Sequence, residues 1–553
     1  MIDLWYKNAV IYCIDVETFQ DGNGDGAGDF IGLSDRLPYL AGIGATCVWL
    51  LPFYPSPVLD DGYDVADYYG VRPPLGTLGD FVDFMNQARE LGIRVIVDLV
   101  VNHTSNAHPW FQAACRDAQS AYRDWYVWSR RKPRRSAAGV VFPGVQTSNW
   151  TYDRQAAAYY FHRFYDFQPD LNLMNPAVRQ EIEKIMGFWL QLGVSGFRID
   201  AAPFMIEHKG TGKPRGEEEY AYLTEFRQFL SWRRGDAMML AEANVPPNEL
   251  MDFFGDEGDR MQLLFNFVVN QRLFLAVARE EAGPVTEGYG MLPELPETAQ
   301  WANFLRNNDE IDLSGLTDDA RARCFEEFAP DPTMQLYGRG IRRRLSPMLK
   351  ADRRRLELMN SLMFTLPGTP VIRYGEEIGM GDDLSLPERS AIRTPMQWSS
   401  EPNGGFSTAP PDKLVRRVIS EGEYRYERVN VANQRLEFDS FLNWMERAIR
   451  TRKECPEFGW GRMRFLETGH PSVLAHACEW RGSVVVAVHN FSRAAVTVDL
   501  QLPEDVVETL DLYGRHLRQP APGASHVIDL DGYDYRWLRL RRASARHPAP
   551  PPA

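Results

Sequence analysis

The chain has 553 residues, 44% of them hydrophobic and 25% charged, a length and balance that give two or three globular domains an ample core. Its net charge of −14 excludes a nucleic-acid partner, whose phosphates would be repelled. No uninterrupted apolar run is long enough to span a bilayer, so no membrane association is expected. The start, Met1-Ile2-Asp3-Leu4-Trp5-Tyr6-Lys7, lacks the basic-then-apolar order of a signal peptide, and a cytoplasmic location is expected. Six cysteines (Cys13, Cys47, Cys115, Cys324, Cys455, Cys478) form no CxxC pair, which predicts free thiols in a reducing compartment. The 14 Trp, 23 Tyr and 30 Phe supply flat faces suited to stacking on sugar rings.

Short apolar runs at 9–14, 46–52, 94–100, 196–201, 238–243, 262–267, 302–307 and 369–374 alternate with segments of three-and-four apolar spacing, such as 81–91 and 182–192. Strands apolar on both faces and separated by helices predict an α/β fold. The architecture expected is a (β/α)8 TIM barrel formed by residues 1–103 and 176–455. An open doubly wound sheet would want a Gly-rich phosphate loop after an early strand, and the sequence has none. Residues 104–175 are turn-rich and aromatic (Asn149-Trp150-Thr151-Tyr152, Tyr159-Tyr160-Phe161-His162) and read as an excursion domain inserted after strand 3. A second insertion, 310–350, follows strand 7 and ends in Arg342-Arg343-Arg344, a charge run expected to form a solvated helix face. A third long stretch, 376–436, follows strand 8. From 456 to 541 alternating runs such as Ser483-Val484-Val485-Val486-Ala487-Val488 predict a C-terminal antiparallel β-sandwich. The proline-rich tail, 542–553, is expected to be disordered.

Chemistry in such a barrel sits where strands end and loops begin. Strand 3 ends near Asp98 and runs on to Asn102-His103, strand 4 ends at Asp200, strand 5 at Glu242 and strand 7 at Asn308-Asp309. Like charges gathered at one rim push each other's pKa values apart, so that one carboxyl stays protonated while another stays ionised. That arrangement suits cleavage of a glycosidic bond by a carboxylate nucleophile and a carboxylic acid. Arg198, two residues before Asp200 and on the same strand face, is placed to hold a nucleophile ionised. Glu242, behind the apolar Met239-Leu240-Ala241, suits the acid/base role, and Asp309 suits binding of sugar hydroxyls.

These segments resemble the α-amylase superfamily of glycoside hydrolases. DLVVNH at 98–103, GFRID at 196–200, AEAN at 241–244 and FLRNND at 304–309 stand in order at its four motif positions, and QPDLN at 168–172 matches a fifth. WLLPFYPSP at 49–57, DDGYDVAD at 60–67, YGEEIGMGD at 374–382 and RTPMQW at 393–398 resemble the trehalose synthase group within it, the maltose α-D-glucosyltransferases. The resemblance covers essentially the whole chain. It implies Asp200 as nucleophile, Glu242 as general acid/base and Asp309 as transition-state stabiliser. It further implies that Asp64, His103, Gln168 and Arg198 contact the glucose of the cleavage subsite, with Tyr63 stacked beneath it and Asp64 paired with Arg393 around its terminal hydroxyl. The implied activity is retaining, exo-acting α-glucosyl transfer that interconverts maltose and trehalose; the alternatives are an α-glucosidase or transglucosidase passing glucose to water or another acceptor, and a non-catalytic sugar-binding protein. Sucrose is a further candidate substrate, and the sequence is compatible with a homo-oligomer. One position departs: Asn308 stands where the family has His. Loss of one charge-assisted hydrogen bond costs about 1.5–3 kcal/mol, which predicts a slower enzyme or a shifted substrate choice.

Asp21-Gly22-Asn23-Gly24-Asp25-Gly26-Ala27-Gly28-Asp29 places an oxygen-bearing side chain at alternate positions through a glycine-loosened loop, a hard-cation pattern. It is not an EF-hand, because its twelfth position is Gly32 rather than Glu. The resemblance implies structural Ca²⁺, or Mg²⁺, on Asp21, Asn23, Asp25 and Asp29. It also implies a second Ca²⁺ on Asn102, Asp170 and Glu207 with the carbonyls of Phe204 and Met205. His470, His476, His489, His516 and His526 have no partners at ligand spacing, so neither a transition metal nor an organic cofactor is expected.

Overall fold

Each apolar run is a strand, and the strands alternate inside and outside with period two. In a computed structural model describing residues 3–211, 213, 216–503, 505–514, 517–518 and 526–542, they are β1 (Ile11–Ile14), β2 (Cys47–Leu50), β3 (Arg94–Leu99), β4 (Gly196–Ile199), β5 (Met238–Ala241), β6 (Leu263–Phe265), β7 (Gln300–Phe304) and β8 (Thr369–Arg373). They close into a barrel in the order β1-β8-β7-β6-β5-β4-β3-β2, every neighbour parallel. Ile11, Cys13, Cys47, Trp49, Ile96, Leu240, Phe265 and Val371 fill the interior, while the alternate residues Tyr12, Ile14, Val48 and Leu50 pack outward against the helices. The same alternation carries Asp98, two residues beyond Ile96, onto the inner face. Asp98 is in register with Arg198 of β4, which is in register with the inward Leu240 of β5. Arg373, in register with Cys13, joins this layer from β8. The top of the barrel core is therefore built from charge rather than hydrocarbon.

The helices owe their ends to local chemistry. Thr77 and Asp80 form a capping box on the helix Leu78–Glu90, whose Phe81, Phe84, Met85 and Ala88 make one buried stripe. Asn175 caps Pro176–Gln191, which buries Val178, Ile182, Ile185, Met186 and Trp189. Each fully buried large side chain of this kind contributes about 1.5–3 kcal/mol. No helix among the described residues is long and apolar enough to cross a membrane.

The excursion after β3 holds a three-stranded antiparallel sheet of Trp128–Ser129, Ala158–Phe161 and Trp150–Asp153. The C-terminal region forms antiparallel layers: a six-stranded sheet whose interior strands are Val473–Trp480, Ser483–Asn490, Tyr535–Arg542 and Val506–Asp511, and the pair Val496–Leu500 with His526–Leu530. Val486, Val488, Val498, Leu500, Ile528 and Leu530 fill the space between them. The six cysteines are free and buried. Apart from Arg542, which ends the last strand, the proline-rich tail lies outside the described residues, as does His516.

One sequence expectation is overturned. Arg342-Arg343-Arg344 is not a solvated helix face: Arg342 and Arg344 are buried. Arg342 donates to the carbonyls of Thr333, Leu384, Leu386 and Glu388, Arg343 pairs with Asp382, and Arg344 donates to the Tyr374 carbonyl and Glu376. Their charges are spent on the carbonyls and carboxylates of the stretch after β8, which has little regular structure to satisfy its own backbone. They fasten that stretch over the barrel mouth.

Candidate active site

One guanidinium organises the rim. Arg198, 2% exposed, reaches Asp98 Oδ1 at 2.7 Å and Asp200 Oδ1 at 2.6 Å through Nη1, and Glu242 Oε2 at 2.5 Å through Nη2. Asp98 is further held by Trp49 Nε1 at 3.2 Å and the Tyr63 hydroxyl at 3.4 Å. Asp200 and Glu242 each follow directly on the last residue of their strand, β4 and β5. Behind Asp200, Ala201 takes a left-handed backbone (φ 48°) that turns the chain sharply into the short helix Ala202–Met205.

Burial and the neighbouring carboxylates Asp200, Asp309 and Asp98 push the Glu242 carboxyl up to about 8, against the pull of Arg198. Burial likewise raises Asp98 to about 7, with Arg198 opposing and Asp200 adding to the rise. Asp309 goes the other way: burial acts upward on it too, but Arg389, Arg393 and Arg198 outweigh that and hold it below the ordinary carboxylate range.

A second network surrounds Asp309. Its Oδ1 accepts from Arg389 Nη1 at 2.6 Å and Arg393 Nη2 at 3.0 Å. Arg389 also reaches Asp60 Oδ1 at 3.1 Å, and Asp60 Oδ2 accepts from Gln168 Nε2 at 2.9 Å. The expected pairing of Asp64 with Arg393 does not occur. Asp64 is fully buried and closes its own loop, accepting from Ser56 Oγ and from the Leu59 and Asp60 amides at 2.9, 3.1 and 3.2 Å. Arg393 Nη1 pairs instead with the neighbouring Asp61 at 2.9 Å, which also meets Arg416, while the acid–arginine pair that lines the cavity is Asp60 with Arg389. The backbone explains the exchange. Asp61 sits at φ 53° and Gly62 at φ 91°, where a Cβ would stand 2.8 Å from the Pro52 carbonyl oxygen, and this turn brings Asp61 to Arg393 and Arg416. Burial acts to raise the Asp61 carboxyl, but Arg393 and Arg416 hold it well below the usual range.

Asn308 lies between the two networks. Its Nδ2 donates to Asp61 Oδ2 at 3.4 Å and its Oδ1 accepts from Arg373 Nη2 at 3.1 Å. His103 meets the Tyr63 carbonyl through Nε2 at 3.1 Å and Asn102 Nδ2 through Nδ1 at 3.1 Å. Tyr63, His103, Asp200, Glu242 and Asp309 all line one cavity of about 530 Å³, together with Asp60 and Arg389. Its roof brings three insertions together. Phe142 and Tyr165 of the excursion stack at 4.8 Å, Tyr337 of the insertion after β7 meets Phe142 at 5.1 Å, and Arg389 of the stretch after β8 lies over Phe142 at 5.2 Å. The Tyr165 hydroxyl donates to Glu388 Oε2 at 3.1 Å.

Sequence reading missed Asp60, Asp61, Arg389, Arg373 and Arg416. For three of them the signal was present: Asp60-Asp61 is a doubled acid beside the singled-out Tyr63, and Arg389 stands four residues before Arg393.

The two cation positions differ. In the first loop Asp21 accepts from the Gly24 and Gly26 amides at 2.7 and 2.8 Å and from Ser407 Oγ at 2.6 Å. Asp29 accepts from the Gly32 amide at 2.7 Å and caps the next helix, while Asn23 and Asp25 accept from the amides two residues on. No Lys or Arg among the described residues pairs with Asp21, Asp25 or Asp29, and burial raises Asp29. Two buried carboxylates lack a counter-charge here, although no three acids or histidines among the described residues gather closely enough to hold a metal ion. The second position does not fit. There the Lys209 ammonium donates to Asn102 Oδ1, to Asp170 Oδ2 at 2.8 Å and to the Phe204 carbonyl at 2.5 Å. Arg163 takes Glu207, and Met205 lies buried in the helix Ala202–Met205.

This barrel and rim define a glycoside-active architecture, and comparison with known proteins agrees. The family description "Alpha amylase, catalytic domain" matches residues 13–308 and 340–461, and "Sucrose hydrolase-like, C-terminal domain" matches 482–539. The chain belongs to the α-amylase catalytic-domain family, a family of enzymes. It is 41% identical over 544 residues to a trehalose synthase/amylase of Mycobacterium tuberculosis, covering 97% of this chain and 90% of that one. It is 45% identical over 504 residues to a trehalose synthase of Thermus thermophilus, covering 91% of this chain and 52% of that one. Among solved structures, the trehalulose synthase of Pseudomonas mesoacidophila MX-45 superposes with a TM-score of 0.76 at 25% identity, over 97% of this chain and 99% of that one.

Proposed function

We propose that the chain transfers an α-glucosyl group within a disaccharide, interconverting maltose and trehalose, with Asp200 as nucleophile. One observation carries this reading: Asp200 and Glu242 share the two terminal nitrogens of Arg198 inside a roofed pocket. Two carboxyls bridged by one guanidinium sit close together, which favours the separation of about 5–5.5 Å used by retaining enzymes over the wider gap of inverting ones. Asp200 attacks the anomeric carbon of the non-reducing glucose while Glu242, protonated at neutral pH, gives its proton to the glycosidic oxygen. The bond from carbon to that oxygen breaks and a glucosyl ester on Asp200 forms. The released glucose turns, its anomeric hydroxyl attacks the ester carbon, and Glu242 takes the proton back. Asp309, kept ionised by Arg389 and Arg393, stabilises the developing positive charge. The roof of Phe142, Tyr165, Tyr337 and Arg389 excludes the water that would otherwise end the cycle in hydrolysis.

The names of the relatives support the same reaction, and the trehalulose synthase likeness supports sucrose as a further substrate. Transfer to water is the second reading, which the word amylase in the mycobacterial name supports. Incubation with maltose separates them: trehalose without free glucose is expected, and glucose without trehalose overturns the first reading. Asp200→Asn is expected to abolish both.

We also infer a structural Ca²⁺ or Mg²⁺ on Asp21, Asn23, Asp25 and Asp29. It would clip the loop after β1 to Ser407 and supply no chemistry to the reaction. A melting temperature lowered by a chelator and restored by calcium, but not in Asp25→Asn, is the expected result. The six buried free cysteines favour a cytoplasmic location.

A further inference from the structure

The strongest unexplained feature outside the reaction is the ammonium of Lys209, whose side chain is 1% exposed. Its three N–H donors meet three oxygens from three separate segments: Asn102 Oδ1 beyond β3, Asp170 Oδ2 at the end of the excursion, and the Phe204 carbonyl beyond β4. Nothing is left unsatisfied on the donor side. Each segment carries a residue of the cavity wall or its support: Asn102 precedes His103, Asp170 follows Gln168 by two, and Phe204 follows Asp200 by four. The excursion is laced to β3 here, with the Leu171 amide on the Asn102 carbonyl at 2.9 Å and the Thr104 amide on the Pro169 carbonyl at 3.1 Å.

These oxygens belong to the set on which the sequence resemblance placed a second calcium. Charge shows why the structure rejects it. The carboxylates in the set are Asp170 and Glu207, and each already has an internal cation, Lys209 and Arg163. The cluster is neutral. A divalent ion would enter against two fixed positive charges and would find three of its oxygens already occupied, where calcium wants six to eight. We propose that Lys209 is a tethered replacement for this calcium, so that the chain braces its nucleophile-bearing loop against the excursion domain without a metal at that point. Lys209 is thus a positioning residue; it touches no substrate.

The test is Lys209→Ala, which removes the ammonium and leaves Asn102, Asp170 and Phe204 facing a void. Calcium content after equilibrium dialysis, by elemental analysis, is expected to rise by one ion per chain over the wild type. The variant's melting temperature falls in chelator and recovers on adding calcium, beyond whatever response the Asp21–Asp29 loop gives the wild type. On maltose its kcat falls by up to about 100-fold, the cost of a small misplacement of reacting groups, and calcium restores it. Unchanged calcium content in the folded variant overturns the proposal, whatever its melting temperature. If Lys209→Ala does not yield folded protein, Asp170→Asn decides: loss of one calcium relative to the wild type would show a metal where Lys209 is assigned, and unchanged content supports the replacement.

Discussion

Replacing Arg389 with Ala isolates what the stretch after β8 contributes. Its guanidinium makes the shortest contact to Asp309, 2.6 Å, and ties Asp309 to Asp60 at 3.1 Å under the Phe142 ring. A hydrogen bond between charged partners contributes about 1.5–3 kcal/mol, and losing one from the transition state lowers kcat/KM about 10- to 100-fold. The loss is partial because Arg393 keeps its 3.0 Å contact to the same oxygen and Gln168 keeps Asp60. A second effect has a definite sign. Arg389 is the foremost of the groups holding Asp309 below the ordinary carboxylate range, so its removal raises that carboxyl and moves the acid limb of the pH–rate profile upward. A depressed carboxyl stabilises the fold above its unfolded pKa, and that share is lost as pH falls through the folded value. The variant's stability deficit is therefore largest at neutral pH and narrows in acid. Arg389→Lys lies between, since one ammonium cannot fork to Asp60 and Asp309 together. Initial rates of trehalose formation from maltose across pH, with melting temperatures in the same buffers, measure all three. An unchanged kcat/KM with an unmoved acid limb would refute the reasoning.

Other outcomes follow from the same contacts. Because Glu242 must be protonated to act as acid and its carboxyl is pushed up to about 8, kcat/KM is expected to hold through neutrality and fall about tenfold per unit above that value; Glu242→Gln should lose turnover on maltose and the alkaline limb with it. Asp61→Asn takes a carboxylate from Arg393 and Arg416, though Arg393 keeps Asp309 and Arg416 keeps the Arg393 carbonyl, so denaturant melts should show a loss of about 1.5–3 kcal/mol and kinetics a raised KM for maltose. Asp64→Asn, which touches only its own loop, should cost about 1–3 kcal/mol and leave KM unchanged. Asn308→His should lower trehalose synthesis rather than raise it, because the imidazole would take the place of the oxygen that accepts from Arg373.

The barrel was legible because its strands are short apolar runs whose inward and outward residues obey a period of two, and because acids stand where those runs stop. Asp200 and Glu242 sit one residue past a strand, and no rearrangement of loops could move them far. Asp64 was misplaced for the opposite reason: it lies on a loop, where a pair of left-handed residues decides which of three nearby acids meets which arginine, and spacing along the chain does not record that. Arg342-Arg343-Arg344 misled because three adjacent charges are ordinarily solvated. Here the irregular stretch after β8 leaves carbonyls that only long cationic side chains can reach. Lys209 was invisible, since its partners come from three segments brought together only by the closed barrel.

The two networks hold six carboxylates, Asp60, Asp61, Asp98, Asp200, Glu242 and Asp309, against five guanidiniums, Arg198, Arg373, Arg389, Arg393 and Arg416. Fully ionised, this set of side chains would hold an excess of one negative charge. The raised carboxyls of Glu242 and Asp98 relieve that excess by keeping protons. In the proposed reaction, Glu242 gives its proton to the leaving oxygen and a negative charge appears 2.5 Å from Arg198 Nη2, while one disappears from Asp200 as its ester forms 2.6 Å from Nη1. The guanidinium spans both, so the charge changes sides across one rigid cation and the surroundings need not reorganise. A lysine at 198 carries the same charge on a single nitrogen and could not serve the two carboxylates and Asp98 at once. On the proposed mechanism, the fork of Arg198, rather than its charge alone, would let this strand end trade a proton for a bond in both halves of the cycle.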